Sequence, residues 1–241
     1  MSNKTVFDCF CGVGGISIGA TLAGLKIIGG VDFDTGAVES YRRQFPDAVA
    51  HREDLSKVSA KAVLKALGLQ RGDVDILVGG PPCQPYSVNN HQRGVEDERS
   101  SLIERFLEFA TILCPRSIVV ENVPGLTSIE EGRFLNSIIR SFRARGYRVE
   151  FGILDAVRFG VPQRRKRLVL IGTRGQKQPS KILESLKSRT TRARTVGEAL
   201  GDLPVETGDL SPYTKPPTNA FQRVMRQDNK NLITSRRFLK E

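Results

Sequence analysis

At 241 residues, with 39% hydrophobic and 26% charged positions and a formal net charge of +11, the chain is long enough to bury a full core and is ordinary for a globular protein. No apolar run approaches the roughly 18 residues that a membrane span needs, and the N-terminus, MSNKTVFDCF, lacks the basic and apolar regions of a secretory signal. Four cysteines (Cys9, Cys11, Cys83, Cys114) and two histidines (His51, His91), with no CxxC spacing, make neither a disulfide framework nor a metal site and predict a reducing, cytoplasmic setting.

Along the chain, apolar strands alternate with helical patterns. Thr5 to Phe10 is a short strand, followed by the glycine cluster CGVGGISIG and a helix to about Leu22; Lys26 to Val31 is a strand that ends in DFD. Residues from Thr35 to Gln44 are helical and stop before Pro46, and Ser59 to Leu67 follows the i, i+3, i+4 pattern of Val63, Leu64 and Leu67. Asp75 to Val78 is a buried strand, Leu102 to Leu113 a helix with Ile103, Phe106, Leu107 and Ala110 on one face, Ser117 to Val120 a strand, and Phe134 to Arg145 a helix. Arg148 to Leu154 and Leu168 to Gly172 form a long hairpin joined by DAVRFGVPQRRKR. This alternation predicts an α/β fold, a mostly parallel sheet with an antiparallel edge hairpin and helices on both faces.

In open α/β sheets, ligands sit beyond the carboxyl ends of the strands. The unusual residues of this sequence collect there. Gly12, Gly14 and Gly15 follow the first strand, where they let a ligand approach the backbone, although they lack the G-x-G-x-x-G spacing of a dinucleotide cradle. Asp32 stands twenty positions after Gly12 at a strand end, where an acid accepts hydrogen bonds from both hydroxyls of a ribose. Phe33 beside it offers a stacking surface for adenine, and the combination predicts an adenosine-containing cofactor. Cys83 follows the Asp75 to Val78 strand in DILVGGPPCQPYS. Pro81, Pro82 and Pro85 fix φ on both sides of it and so orient its sulfur, as a nucleophile requires. No histidine lies near it in sequence; cationic neighbours would favour its thiolate. The bland alternative, a small buried hydrophobe, is the reading for Cys114 and Cys9.

The charge is concentrated. Between Arg140 and Arg194 there are 16 Lys and Arg against three acids, so the rest of the chain is slightly acidic. Such a segment suits a polyanion, since each cation that meets a phosphate releases counterions.

The stretches FDCFCGVGG, GGPPCQPYS, VVENVPG and GVPQRRKRLVLIG, in this order, resemble the DNA (cytosine-5)-methyltransferase family over roughly residues 4 to 205. The resemblance implies a Rossmann-like fold that binds S-adenosylmethionine, methyl transfer to C5 of cytosine with S-adenosylhomocysteine as product, double-stranded DNA as partner and a restriction-modification setting in the nucleoid. It implies that Cys83 adds to C6 of a flipped-out cytosine and that Glu121 hydrogen-bonds the base edge and protonates N3. Arg165 and Arg167, alternating at a strand start, would face one side and hold the target nucleotide, with Asn122 and Gln163 positioning the loops. The same carry-over gives Phe10, Gly12, Val13, Gly14, Gly15, Asp32, Phe33, Asp54, Leu55, Pro82 and Leu102 as cofactor contacts. Asp54 would bond the adenine amino group; Leu55 and Leu102 read equally well as core leucines.

Two domains of unequal weight are expected: a catalytic domain over 1–205 and an extension over 206–241 toward a target-recognition region. The recognition region and the closing G-N-A-V-P-P-like segment of the family do not occur in this sequence. Either the chain is the catalytic subunit of a split enzyme, with a second protein supplying them, or it is a truncated, inactive relative. A split enzyme would leave an apolar surface exposed on the first helices. Two other functions remain open: methylation of RNA (tRNA) cytosine, and a non-catalytic regulatory subunit that retains the fold.

Overall fold

The computed structural model describes residues 4–82, 100–175, 177–189, 191–203 and 216–225. The chain runs β1 (Thr5–Cys9), α1 (Gly15–Leu22), β2 (Lys26–Asp32), α2 (Thr35–Gln44), β3 (Val49–Arg52), α3 (Ala60–Leu67), β4 (Ile76–Gly79), α4 (Ser100–Leu113) and β5 (Ser117–Asn122). It continues through α5 (Arg133–Ala144), β6 (Arg148–Asp155), β7 (Lys166–Thr173), α6 (Pro179–Ser188), α7 (Val196–Leu200) and α8 (Ala220–Met225).

The chain divides into two compact units. One comprises residues 1–154 and 166–188, the other residues 155–165 and 189–241. The expected boundary at 205 and 206 lies outside the described residues. In the sheet the strand order is β3-β2-β1-β4-β5-β7-β6. Pairing is parallel from β3 through β5, and β7 runs antiparallel to β5 with Glu121 opposite Val169 and Asn122 opposite Leu168.

Neighbouring residues of β1 point to opposite faces of the sheet and seed two cores. Val6 joins Ile27, Val38, Tyr41, Ala50 and Val78, with α1 and α2 packed over them. Phe7 and Cys9 join the larger cluster, built from α3, α4 and α5 through Leu64, Phe106, Phe109, Ile138 and Phe142. Local signals fix the helix ends: the Ser59 hydroxyl accepts from the Ala62 N–H at the start of α3, and Gly68 closes that helix in the left-handed conformation at φ 66°.

The alternation read from the sequence is present, with additions. β3 is only VAHR, four residues at the edge of the sheet with one buried side chain, too short and too polar to show a strand period. α6, α7 and α8 lie in the polar, basic stretches that carry little apolar periodicity. The first helix is the exception to ordinary amphipathicity: only Ser17 of α1 is fully buried, while Ile18 and Leu22 are exposed.

The chain turns back at one place. β1, β2 and β3 build outward in one direction, and β4 then returns to the other side of β1, so the carboxyl ends of β1 and β4 flank the topological switch point where α/β sheets bind ligands. Among the described residues no helix is long and apolar enough to cross a membrane. Phe106, fully buried on α4 and edge-on to Phe142, anchors the larger core: Phe106→Ala should cost about 3–5 kcal/mol, seen as a lower urea midpoint with an unchanged slope.

Candidate active site

The loop after β1 is shaped by three left-handed residues, Phe10 (φ 64°), Gly12 (φ 51°) and Gly14 (φ 96°). A bulky residue rarely adopts this conformation; here it lets the Phe10 and Cys11 N–H groups both donate to the Val31 carbonyl, at 2.9 and 3.1 Å. Phe10 then packs against the larger core while Cys11 is buried in the smaller one. Gly14 has no room for a side chain, since a Cβ would lie 2.7 Å from the Phe45 ring and 3.2 Å from that of Tyr41. A Cβ on Gly12 or Gly15 would meet nothing within 4 Å, so this side of the loop faces open space.

Asp32 ties the loop to the end of β2. Its Oδ2 accepts the Gly12 N–H at 2.8 Å and its Oδ1 accepts the Asp34 N–H at 3.1 Å. A carboxylate offers about four acceptor positions, which leaves capacity for two hydroxyl donors from a ligand. Asp34 in turn caps α2 through Ala37. Val13 and Phe33, 59% and 67% exposed, present apolar surface next to these polar groups.

The other expected cofactor residues are placed differently. Asp54 closes a turn on itself: its Oδ1 accepts the N–H and hydroxyl of Ser56 and its Oδ2 pairs with Lys57 at 3.1 Å. These hydrogen bonds hold its carboxyl below the usual aspartate range. Leu55 is 3% exposed and belongs to the larger core, and its carbonyl accepts from Arg105, so packing occupies both ends of this residue. Leu102 is partly buried against the same core, and Pro82 is exposed after β4.

The ends of β4, β5 and β7 bring the chemistry-bearing residues together. Gly79 lies so close to β1 that a Cβ would sit 2.3 Å from the Cys9 carbonyl oxygen, and a Cβ on Gly80 would sit 3.1 Å from Glu121 Oε2. Glu121 Oε1 pairs with Arg167 Nε at 2.7 Å. The two are diagonal neighbours on one sheet face, because Glu121 stands opposite Val169, two residues beyond Arg167. Arg167 also donates from Nη1 to the Lys166 carbonyl, so its guanidinium is held at two points, with Nε toward the carboxylate. Asn122 is buried; its Nδ2 donates to the Pro81 carbonyl at 3.0 Å and its Oδ1 accepts the Val123 N–H at 2.8 Å. One side chain thus ties the end of β5 to the proline turn after β4. Cys83 lies outside the described residues.

Arg165 precedes β7, which begins at Lys166, and belongs with Gln163 to the second unit. Asp155 organises that connection: its Oδ1 accepts the Arg165 N–H at 3.0 Å, and the Ala156 N–H donates to the Arg165 carbonyl at 3.0 Å. The Gln163 N–H donates to Val161 at 2.8 Å, and the side chains of Gln163 and Arg165 are exposed.

Sequence reasoning passed over three residues beneath the glycine loop. Asp8 is fully buried in β1 and accepts from the Ser17 hydroxyl at 2.6 Å; Ser17 Oγ lies 2.9 Å from the Tyr41 hydroxyl. An acid inside the otherwise apolar run VFDCF was the available signal. Among the described residues no cluster of side chains could hold a metal ion.

A glycine loop and an acid on one side of the switch point, with a carboxylate–guanidinium pair on the other, sit on a methyltransferase fold. A protein from an E. coli prophage described as a DNA modification methyltransferase superposes with a TM-score of 0.66 at 28% identity, covering 84% of this chain and 56% of that one. The Dnmt2 methyltransferase of S. pombe shares the fold at a TM-score of 0.58 and 20% identity, over 80% of this chain and 57% of that one.

Residues 4–238 match the family described as C-5 cytosine-specific DNA methylase, and the chain belongs to that family. The Type II methyltransferase M.AgeI of Thalassovita gelatinovora is 32% identical over 95% of this chain and 59% of its own length. M.XorII of Xanthomonas oryzae pv. oryzae is 33% identical over 85% of this chain and 47% of its own length. The chain therefore spans about half the length of these relatives. M.AquIA of Picosynechococcus sp. is 27% identical over 85% of this chain and 90% of its own length.

Removing the Asn122 side chain leaves the Pro81 carbonyl and the Val123 N–H without their partner. Asn122→Ala should cost about 1–3 kcal/mol of stability, measured by urea unfolding; a loss within error of zero would mean that this bond does not hold the turn.

Proposed function

We propose that this chain carries the chemistry of methyl transfer from S-adenosylmethionine to C5 of cytosine in DNA. The observation that most supports this reading is the Glu121–Arg167 pair, 2.7 Å apart and across Gly80 from the turn that leads to Cys83. A carboxyl group held in this way suits hydrogen bonding to the edge of a flipped base, and flipping is needed because C5 and C6 are covered within the duplex stack.

The cofactor suits the loop across the switch point. Gly12 and Gly15 leave its backbone open, Asp32 keeps acceptor capacity for two ribose hydroxyls, and Phe33 and Val13 provide exposed apolar surface for the adenine. When bound, S-adenosylmethionine supplies an electrophilic methyl group. Everything else falls to the chain. The Cys83 thiolate adds to C6, while Glu121 donates a hydrogen bond and a proton at N3, so that electron density gathers at C5. C5 takes the methyl group and S-adenosylhomocysteine is left; the C5 proton passes to water, its bonding pair re-forms the C5–C6 double bond and expels the Cys83 sulfur as thiolate, and the N3 proton returns to Glu121. Arg167 orients Glu121, Asn122 holds the proline turn, and Arg165 and Gln163 serve the target nucleotide and its phosphate.

Cys83→Ser should abolish transfer of labelled methyl groups to duplex DNA, and a duplex containing 5-fluorocytosine should trap the unsubstituted protein as a covalent adduct. Labelling by the Cys83→Ser variant at the unsubstituted rate would sink the mechanism. A tRNA substrate run in competition decides between DNA and RNA.

Target recognition by a separate protein is the finer reading. M.AgeI and M.XorII give it no support, because they match with only about half of their own chains and carry further sequence in the same polypeptide, whereas M.AquIA is matched over 90% of its own length. Purified residues 1–241 test it directly. Full methylation of a defined site by this chain alone excludes a required partner, whereas no activity until a second chain is added establishes one.

A further inference from the structure

Asp8 has no role in the chemistry just described, yet a buried carboxyl opposes folding. It is fully buried in β1, its Oδ1 has no hydrogen-bond partner, and its Oδ2 contacts only Ser17 at 2.6 Å. The groups around it are Ser17 from α1, Tyr41 from α2, the Cys11 thiol and the Asp32 carboxylate, with the Cys9 thiol next in sequence on the opposite face of the sheet. Among the described residues no cation is one of them. Burial, with a smaller contribution from Asp32, pushes its carboxyl up to about 7 against the hydrogen bond from Ser17.

An ionised Asp8 is held only by Ser17, in a medium where a lone charge is expensive. A neutral Asp8 donates from Oδ2 to Ser17 Oγ, which donates to the Tyr41 hydroxyl at 2.9 Å, which donates to the Gly29 carbonyl at 3.4 Å; each O–H in the chain then has an acceptor. Both ends of this relay bear on the glycine loop. Ser17 sits in the first turn of α1, and the Tyr41 ring lies directly under Gly14 and beside Gly30.

We propose that Asp8 is a positioning residue for the cofactor loop: held neutral, it completes a proton relay through Ser17 and Tyr41 that seats Gly12 to Gly15, and its ionisation unseats them. The proposal rests on the reading of that loop as a cofactor site. The sign follows. A folded-state value raised above that of the unfolded chain means that the native protein holds the proton more tightly, so the stability it contributes is full only below the ordinary aspartate range and declines as pH rises toward about 7, whereas loop order follows the folded-state proton and is lost as pH passes through about 7.

Asp8→Asn keeps the shape, carries no charge and can donate to Ser17 at every pH. In the ligand-free protein, hydrogen-exchange protection of amides 12–17, corrected for intrinsic rates, should fall between pH 6 and pH 8.5 and stay level in Asp8→Asn. Affinity for S-adenosylhomocysteine, measured by calorimetry, should weaken by up to about tenfold per pH unit above the ionisation midpoint in the unsubstituted chain and stay level in the variant. The same pH profile in both proteins, by either measurement, overturns the proposal. Tyr41→Phe keeps the ring under Gly14 but breaks the relay. It should lower protection at pH 6 toward the value that the unsubstituted chain shows at pH 8.5, and unchanged protection overturns the proposal even if Asp8→Asn fails to fold. If S-adenosylhomocysteine binds at no pH, the cofactor reading fails, and the exchange profiles still decide the role of Asp8.

Discussion

The tight junction where β4 meets β1 sets the terms for the rest of the molecule. A Cβ on Gly79 would lie 2.3 Å from the Cys9 carbonyl oxygen, so only a bare backbone fits where the two strands end. That junction is also where the order of strands reverses. The absence of a side chain lets the β1 loop and the β4 turn leave the sheet side by side, with Gly80 continuing under Glu121. Any larger residue would push the glycine loop and the turn to Cys83 apart, and with them the two reactants that the proposed chemistry has to bring into contact.

Around that junction, polar groups do two jobs at once. Asp32 holds the loop through Gly12 and still has acceptor positions for a ligand; Glu121 is fixed by Arg167 while its other oxygen sits against Gly80. Such pre-organisation is how a site supplies orientation before the substrate arrives. Asn122 and Asp155 work one step back, each holding a backbone turn with a single side chain. Asp54 and Leu55 show the opposite case, with side chains already engaged by local partners or by the core.

The energetic burden of the site lies in its foundations. Phe10 adopts a left-handed backbone, and Asp8 is buried without a cation or a partner for Oδ1. Neither would be retained for stability, since a residue at positive φ and a desolvated carboxyl both oppose folding. Both lie in or beside the loop after β1, and the two cores that grip β1 from its opposite faces hold them in place.

From the amino-acid order alone came the alternation of strands and helices, the collection of glycines, acids and prolines at strand ends, and the stretches that mark the family, because these depend on periodicity and on residue chemistry along the chain. The β3 strand escaped, since four residues at a sheet edge, only one of them buried, are stabilised by backbone pairing and are too few to show a hydrophobic period. Only the tertiary structure decided that Arg167 meets Glu121, that Asn122 reaches across to Pro81, and that Asp8, Ser17 and Tyr41 form one buried chain. Those contacts join residues from different elements, up to 46 positions apart for Glu121 and Arg167, and strand register and helix docking set them, not the identity of near neighbours.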